Sequence, residues 1–252
     1  MSFFKIIIPN YNSEKYISKC LESILSQDYK DYDIVIVDDM SSDNSVNIIK
    51  KYKDERIHLI ENKEKRYNGG GRNVGIDYPI ESEYTLFIDN DDWFERDTCF
   101  KEIHDKIIKE NYPDCVSLGY INYGKIKSYY SLVRNSPEEL VKDPNVACWT
   151  TCIKSNLIVH FPENTLMEDV AWRIEQCDKL DTCVSIDKPF VVWNRLNEDS
   201  CSTKPSPKRK SSEWRQLADV YDLELEHDYC KQEKIRRIRQ YLNILLNGKH
   251  VY

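Results

Sequence analysis

At 252 residues with 40% apolar content, the chain is long enough to bury the core of one large α/β domain. Its formal net charge of −7 argues against a dedicated nucleic-acid binder, because neutralising phosphates needs basic surface. No stretch approaches the roughly 18 to 20 apolar residues of a membrane span, and "FFKIII" is too short and is interrupted by Lys5, so a cytoplasmic chain is expected.

The first elements alternate. "FFKIII" (Phe3 to Ile8) is an apolar run halted by Pro9 and Asn10, which predicts a buried strand entering a loop. Ser13 is placed to cap a helix whose apolar positions Tyr16, Ile17, Leu21, Ile24 and Leu25 share a face. A second buried strand, Ile34 to Val37, ends in Asp38 and Asp39, and Ser/Asp cap candidates precede the apolar Val46, Ile48 and Ile49. "IHLI" (57–60) gives a third strand, "YNGGGRNVGIDY" a glycine-rich approach to a short helix, and "YTLFI" (84–88) a fourth strand that runs into "DNDDW". Strand–helix alternation with short polar joints implies a parallel sheet, whose ligands collect at the carboxyl ends of the strands.

Beyond Trp93 the pattern loosens. A helix over about 97–110 leads to a strand near Cys115 to Tyr123, a polar, aromatic segment to about 135, and a strand near Ala147 to Ile153. A helix starting near Met167, strands near Cys183 to Ile186 and Phe190 to Trp193, and a polar loop over 194–212 containing "KPSPKRKSS" follow. The last stretch, about 212–246, is helical by pattern. From Lys204 onward 11 basic residues stand against 7 acidic ones, which leaves about −11 on residues 1–203 and marks the tail as a separate element. Nine cysteines (20, 99, 115, 148, 152, 177, 183, 201 and 230) form no CxxC pair and read as buried reduced thiols rather than disulfides or zinc ligands.

Three carboxylates in four positions, Asp89, Asp91 and Asp92, repel one another and are costly to bury unpaired, so they want a cation. Hard oxygen ligands from one or two carboxylates suit Mg²⁺ or Mn²⁺ holding a nucleotide diphosphate; a solvated acidic turn is the competing reading. At the neighbouring strand ends, Asp38 or Asp39 can accept a base N–H, and Pro9-Asn10-Tyr11 offers a ring to lie against the base.

"KIIIPNYNSEKYISKCLESILSQDYKDYDIVIVDDMSSDNS", "GGGRNVGID", "FIDNDDWF" and "MEDVAWRI", in this order, resemble the family-2 glycosyltransferases, which have the GT-A fold. The likeness covers about residues 3–203. It implies that Asp39, with Pro9 and Tyr11, holds the base of a nucleotide sugar, usually a UDP-sugar, with Arg72 and Asn73 beside the donor pocket. It implies that Asp89 and Asp91 are the DxD positions, Asp91 being the direct metal ligand and Asp92 the adjacent acid. Glu168-Asp169 resembles the family's "ED" pair, with Asp169 as general base and Glu168 orienting it or binding acceptor; the competing reading is two acids favoured by a helix N-terminus. "WNRLNEDSCST" resembles a closing segment in which Arg195, with Ser200 and Ser202, covers the donor diphosphate, against a plain surface loop.

Three departures stand out. Met40 replaces a usual Gly, so the turn after Asp39 is expected to differ; Gly69-Gly70-Gly71 is expected to loosen its loop or open space near the donor sugar; and the missing QxxRW motif argues against a processive synthase. His58, His104, His160, His227 and His250 show no ligand spacing, and Trp93 and Trp149 read as core or pocket wall before sugar platforms.

The expectation is therefore an α/β GT-A catalytic domain over 1–203, with a mostly parallel central sheet flanked by helices. It divides into a nucleotide-sugar half (1–92) and an acceptor half (93–203), and a basic linker and helical C-terminal extension follow over 204–252. The activity expected is metal-dependent, inverting transfer of a sugar to a hydroxyl of a glycan, lipid-linked or protein acceptor, in surface polysaccharide or glycan synthesis. A nucleotidyltransferase is the enzymatic alternative, and it lacks an early basic phosphate loop; a nucleotide-sugar-binding protein is the non-enzymatic one. For the basic tail, packing or self-association is preferred over contact with an anionic membrane surface.

Overall fold

The structure, a computed structural model, describes residues 1–131, 133–143, 146–163 and 168–197. The apolar runs of the first third become four parallel strands, β1 (Ser2–Asn10), β2 (Tyr32–Asp38), β3 (Ile57–Glu61) and β4 (Ser82–Phe87), in the order β3-β2-β1-β4. Helices α1 (Ile17–Leu25), α2 (Ser45–Ile49) and α3 (Tyr67–Asp77) connect them. β1 is apolar on both faces because both are covered: Phe4, Ile6, Ile7 and Ile8 are wholly buried. Lys5 is the exception, and its ammonium donates to the Ile76 carbonyl at 3.0 Å. In the β1–β2 ladder Asn10 lies opposite Asp38, so the polar ends of these strands emerge side by side.

Two sequence expectations change here. Ser13 is not the cap of α1: its hydroxyl donates to Asn10 Oδ1 at 2.5 Å, and the helix begins a turn later. Gly69-Gly70-Gly71 is not a loosened loop but a buried part of α3. A Cβ at Gly69 would stand 2.7 Å from the Pro162 carbonyl oxygen, and one at Gly75 would stand 2.5 Å from Ile7 Cγ2. The close approach of α3 to Ile7 of β1 and to Pro162 and Glu168 offsets the roughly 1 kcal/mol that each glycine costs a helix.

The second half extends the same sheet by a different rule. It contains β5 (Trp93–Phe94), α4 (Cys99–Lys109), β6 (Cys115–Tyr123), β7 (Ser128–Tyr130), α5 (Pro137–Lys142), β8 (Thr151–Lys154), α6 (Glu168–Cys177) and β9 (Cys183–Asn194). The order continues β4-β8-β6-β9-β5, with β8 antiparallel to both neighbours, β6 parallel to β9, and β7 paired outside this path to β6. The two short strands expected near 183–193 are one strand whose pairing with β6 shifts register on either side of Gly119. A side chain at Gly119 would meet the Lys188 carbonyl oxygen at 2.6 Å, so the irregularity depends on this residue. The polar, aromatic segment expected to about 135 contains β7, and α5 follows it unforeseen; Ser136 caps α5 by accepting the Glu139 N–H at 3.3 Å, with Pro137 in the first turn. The strand expected over 147–153 is shorter, since Cys148–Thr150 forms a 3₁₀ turn before β8.

Seven cysteines of the described residues are buried and unbridged. The tail helix expected over 212–246, with Ser200, Ser202, Met167, His227 and His250, lies outside the described residues. No helix among the described residues is long and apolar enough to cross a membrane.

Candidate active site

The ends of β1, β2 and β4 and the start of α6 surround one crevice. At the end of β2 the two aspartates have separate jobs. Asp38 is turned inward, where it accepts Asn10 Nδ2 at 2.7 Å, the Ser41 N–H at 3.0 Å and the Ser41 hydroxyl at 2.6 Å, locking the β2 exit to the β1 exit. Asp39 accepts the backbone N–H groups of Arg66 (2.7 Å) and Tyr67 (2.9 Å) at the start of α3, together with Asn62 Nδ2 at 3.2 Å. Lys65 stands over it, its ammonium 3.2 Å from the Asp39 carbonyl oxygen and 2.8 Å from the centre of the Tyr11 ring. Tyr11 is half exposed and Pro9 is buried beneath it against α3. Met40 takes the left-handed conformation, φ 64°, so the turn keeps a backbone that favours glycine.

The acidic run splits in the same way. Asp92 is 1% exposed; one of its oxygens accepts the Asn194 N–H at 2.8 Å from the end of β9, and the other has no partner among the described residues. Burial, then the charges of Asp91 and Asp89, push its carboxyl well above the usual range. Asp91 faces the crevice with one described partner, Asn197 Nδ2 at 2.5 Å; burial and the neighbouring Asp89 charge push its carboxyl up to about 6. Asp89 accepts Arg72 NH2 at 2.6 Å.

Arg72 joins the two acidic motifs. It is 3% exposed, and its NH1 donates to Glu168 Oε1 at 2.7 Å while its NH2 holds Asp89. Burial opposes its charge, but the negative groups around it outweigh that and hold its pKa well above the ordinary value. Asp89, 17 positions from Arg72, and Glu168, 96 positions from it, are thereby fixed on one guanidinium fork. Glu168 is committed to this bridge, and burial with the adjacent Asp169 charge raises its carboxyl against the pull of Arg72. Asp169 is partly exposed and has no hydrogen-bond partner among the described residues. Asn73, expected beside the donor pocket, instead clamps the backbone of Phe161, donating to its carbonyl (2.9 Å) and accepting its N–H (2.7 Å).

On the far wall, Arg195 lays its guanidinium 4.5 Å over the Trp193 ring, and its backbone N–H donates to the Tyr123 carbonyl at 2.9 Å. Trp149 is 7% exposed and packs edge-on to Tyr120, so it is a wall residue; Trp93 packs edge-on to Tyr123 with Lys19 above it. His58 and His160 pair with Asp33 and Asp77, each away from the crevice. The sequence reading passed over Lys65, Asn62 and Asn197. Asn197 lies inside the quoted "WNRLNEDSCST", while Lys65 and Asn62 belong to a loop with no pattern of its own.

The donor set fits a divalent cation shared with a ligand. Among the described residues no group of three or more acidic, histidine or cysteine side chains forms a cage by itself. Mg²⁺ and Mn²⁺ at nucleotide sites take only one or two carboxylates, with water and phosphate oxygens filling the rest. Asp91, facing the crevice, and Asp89 beside it match that pattern, whereas Asp92 is turned into the protein.

A parallel nucleotide-type half, an acidic run at its central strand end and an acidic pair facing it from a mixed half define the class of the GT-A glycosyltransferases. Residues 5–161 match Glycosyl transferase family 2, and the chain belongs to that family. GlyA of Streptococcus pneumoniae is 36% identical over 142 residues, which cover 55% of this chain and 20% of GlyA. TarS of Staphylococcus aureus, a poly(ribitol-phosphate) β-N-acetylglucosaminyltransferase, is 37% identical over 102 residues, covering 39% of this chain and 18% of TarS. The matched region thus spans about a fifth of the length of either relative. WfgD of Escherichia coli, a UDP-Glc:α-D-GlcNAc-diphosphoundecaprenol β-1,3-glucosyltransferase, is 28% identical over 234 residues, covering 89% of this chain and 88% of WfgD. The crystal structure of TarS 1–349 in complex with UDP-GlcNAc shares the fold, with a TM-score of 0.77 at 21% identity, covering 98% of this chain and 74% of that one.

Proposed function

We propose that this chain transfers a sugar from a UDP-sugar to an acceptor hydroxyl, with inversion, in the assembly of a cell-surface polymer. The observation that carries the reading is the Arg72 bridge, which sets the Asp89–Asp91 run and the Glu168-Asp169 pair across one crevice, with Asp39 at its base end. TarS bound to UDP-GlcNAc and WfgD acting with UDP-Glc support uridine as the donor nucleoside. The polyribitol-phosphate and diphosphoundecaprenol acceptors in their names support a polymer or lipid-linked acceptor.

In this reading Asp39 accepts a base N–H while Tyr11 lies against the base, and the donor diphosphate extends toward Asp91. Asp91, with Asp89 beside it, would hold a Mg²⁺ or Mn²⁺, which would supply positive charge for the leaving diphosphate. Glu168 is held by Arg72, so Asp169 is the carboxylate left to take the acceptor hydroxyl's proton as that oxygen attacks the anomeric carbon. Arg195 closes over the diphosphate from the β9 side. A single displacement inverts the anomeric centre.

Calorimetric titration of a panel of nucleotide sugars with Mn²⁺, with EDTA and with Asp91→Ala tests this. The expected result is one UDP-sugar that binds with metal and loses affinity in the other two conditions; no nucleotide binding under any condition would sink the reading.

A further inference from the structure

β6 and β7 form a hairpin in which Tyr120, Ile121 and Asn122 pair with Tyr130, Tyr129 and Ser128, leaving Gly124-Lys125-Ile126-Lys127 as the turn. Ile126 at its tip is 83% exposed, the most exposed large apolar side chain of the described residues. Exposed with it are Tyr123 (39%), Tyr129 (47%), Tyr130 (37%) and, just beyond, Val133 (43%). One exposed isoleucine needs no explanation, but four apolar or aromatic side chains on one hairpin, with Val133 just beyond it, do. Lys125 and Lys127 bracket the tip, both exposed and neither in an ion pair among the described residues, on a chain whose net charge is −7. The local charge is therefore opposite to that of the chain as a whole.

We propose that this hairpin is a membrane-contact element that seats in the interface of a bilayer carrying anionic headgroups. Each part matches that solvent: an aliphatic tip for the acyl boundary, tyrosine rings for the headgroup level, and ammonium groups for anionic lipid. A protein partner would equally cover the apolar tip, but the two lysines flanking it, in no ion pair among the described residues, favour a diffuse anionic surface. The β6 arm of the hairpin is fixed to the crevice wall next to the turn. Tyr123 pairs with Asn194, whose N–H holds Asp92, and the Arg195 N–H holds the Tyr123 carbonyl. Seating the tip thus brings the mouth of the crevice to the bilayer surface. Membrane contact does not depend on the proposed activity; only its use, presenting the crevice to a lipid-borne acceptor, rests on that reading.

The test is co-flotation of the full chain with phosphatidylcholine vesicles, with and without phosphatidylglycerol, at low and high salt. The wild type should float with the anionic vesicles at low salt and be released as salt rises. Lys125→Ala with Lys127→Ala should weaken partitioning about 25-fold, at about fivefold per lysine. Ile126→Ser should weaken it without altering the salt dependence, and Ile126→Trp should gain quenching by brominated lipid. A wild type that ignores both vesicle types overturns the proposal. So does flotation that survives the hairpin changes, because another surface, such as the basic stretch after Lys204, would then carry it.

Discussion

The two halves of this sheet solve different problems. The four parallel strands of the first half fix carboxylates through backbone amides: Asp38 is held by the Ser41 N–H, and Asp39 by those of Arg66 and Tyr67. The mixed half builds its wall from rings, with Trp149, Tyr120 and Trp193 packed together and Trp93 against Tyr123. Amide-held carboxylates give one fixed pattern of acceptors, suited to a constant ligand such as a nucleotide. Aromatic walls are tolerant in pattern, and on the proposed function this one would face the acceptor.

That contrast can be broken or sharpened by substitution. The largest effect is expected for Asp169→Asn, which should lower turnover by about 10²–10⁴ while leaving donor affinity unchanged. Calorimetry beside a turnover assay checks the split, and intact turnover would remove Asp169 from the chemistry. Arg72→Ala leaves Asp89 and Glu168 crowded without their cation, and should cost about 3–5 kcal/mol in denaturant unfolding. Arg72→Lys should recover only part of this, because an ammonium cannot span both carboxylates as the guanidinium fork does. Gly75→Ala places a Cβ 2.5 Å from Ile7 Cγ2 and is expected to destabilise by about 1–3 kcal/mol, a measure of how closely α3 sits on β1. The smallest effect has the opposite sign. Met40→Gly relieves a left-handed residue that is half exposed, and should raise stability by about 0.5–1 kcal/mol in thermal melts.

The same contrast governs what could be read without coordinates. Strands buried on both faces are continuous apolar runs, so β1, β2 and β4, and the carboxylates that end β2 and follow β4, stood out in the sequence. The division of labour between Asp38 and Asp39, or between Asp91 and Asp92, did not, because adjacent strand-end residues of the same type differ only in which way the backbone turns them. β9 read as two strands because Lys188-Pro189 interrupts its apolar pattern, and the irregular pairing at Gly119 that bridges this gap involves a residue some 70 positions away. The α5 start carries a capping signature, Ser-Pro-Glu-Glu, but it went unread between the polar segment ending near 135 and the strand expected from 147, because α5 is only six residues long. The Arg72 bridge is tertiary in origin: no local pattern links position 72 to position 168.

The buried thiols give this protein a built-in clock. Burial pushes Cys99 up to about 12, and Cys20, Cys115 and Cys152 well above the ordinary value, so in the native state they are both inaccessible and protonated. An alkylating reagent can reach them only when the surrounding strands and helices part. Cys20 reports on α1, Cys99 on α4, Cys152 on β8 and Cys115 on β6, so the order in which they are labelled ranks the opening of the two halves, residue by residue, without any introduced probe.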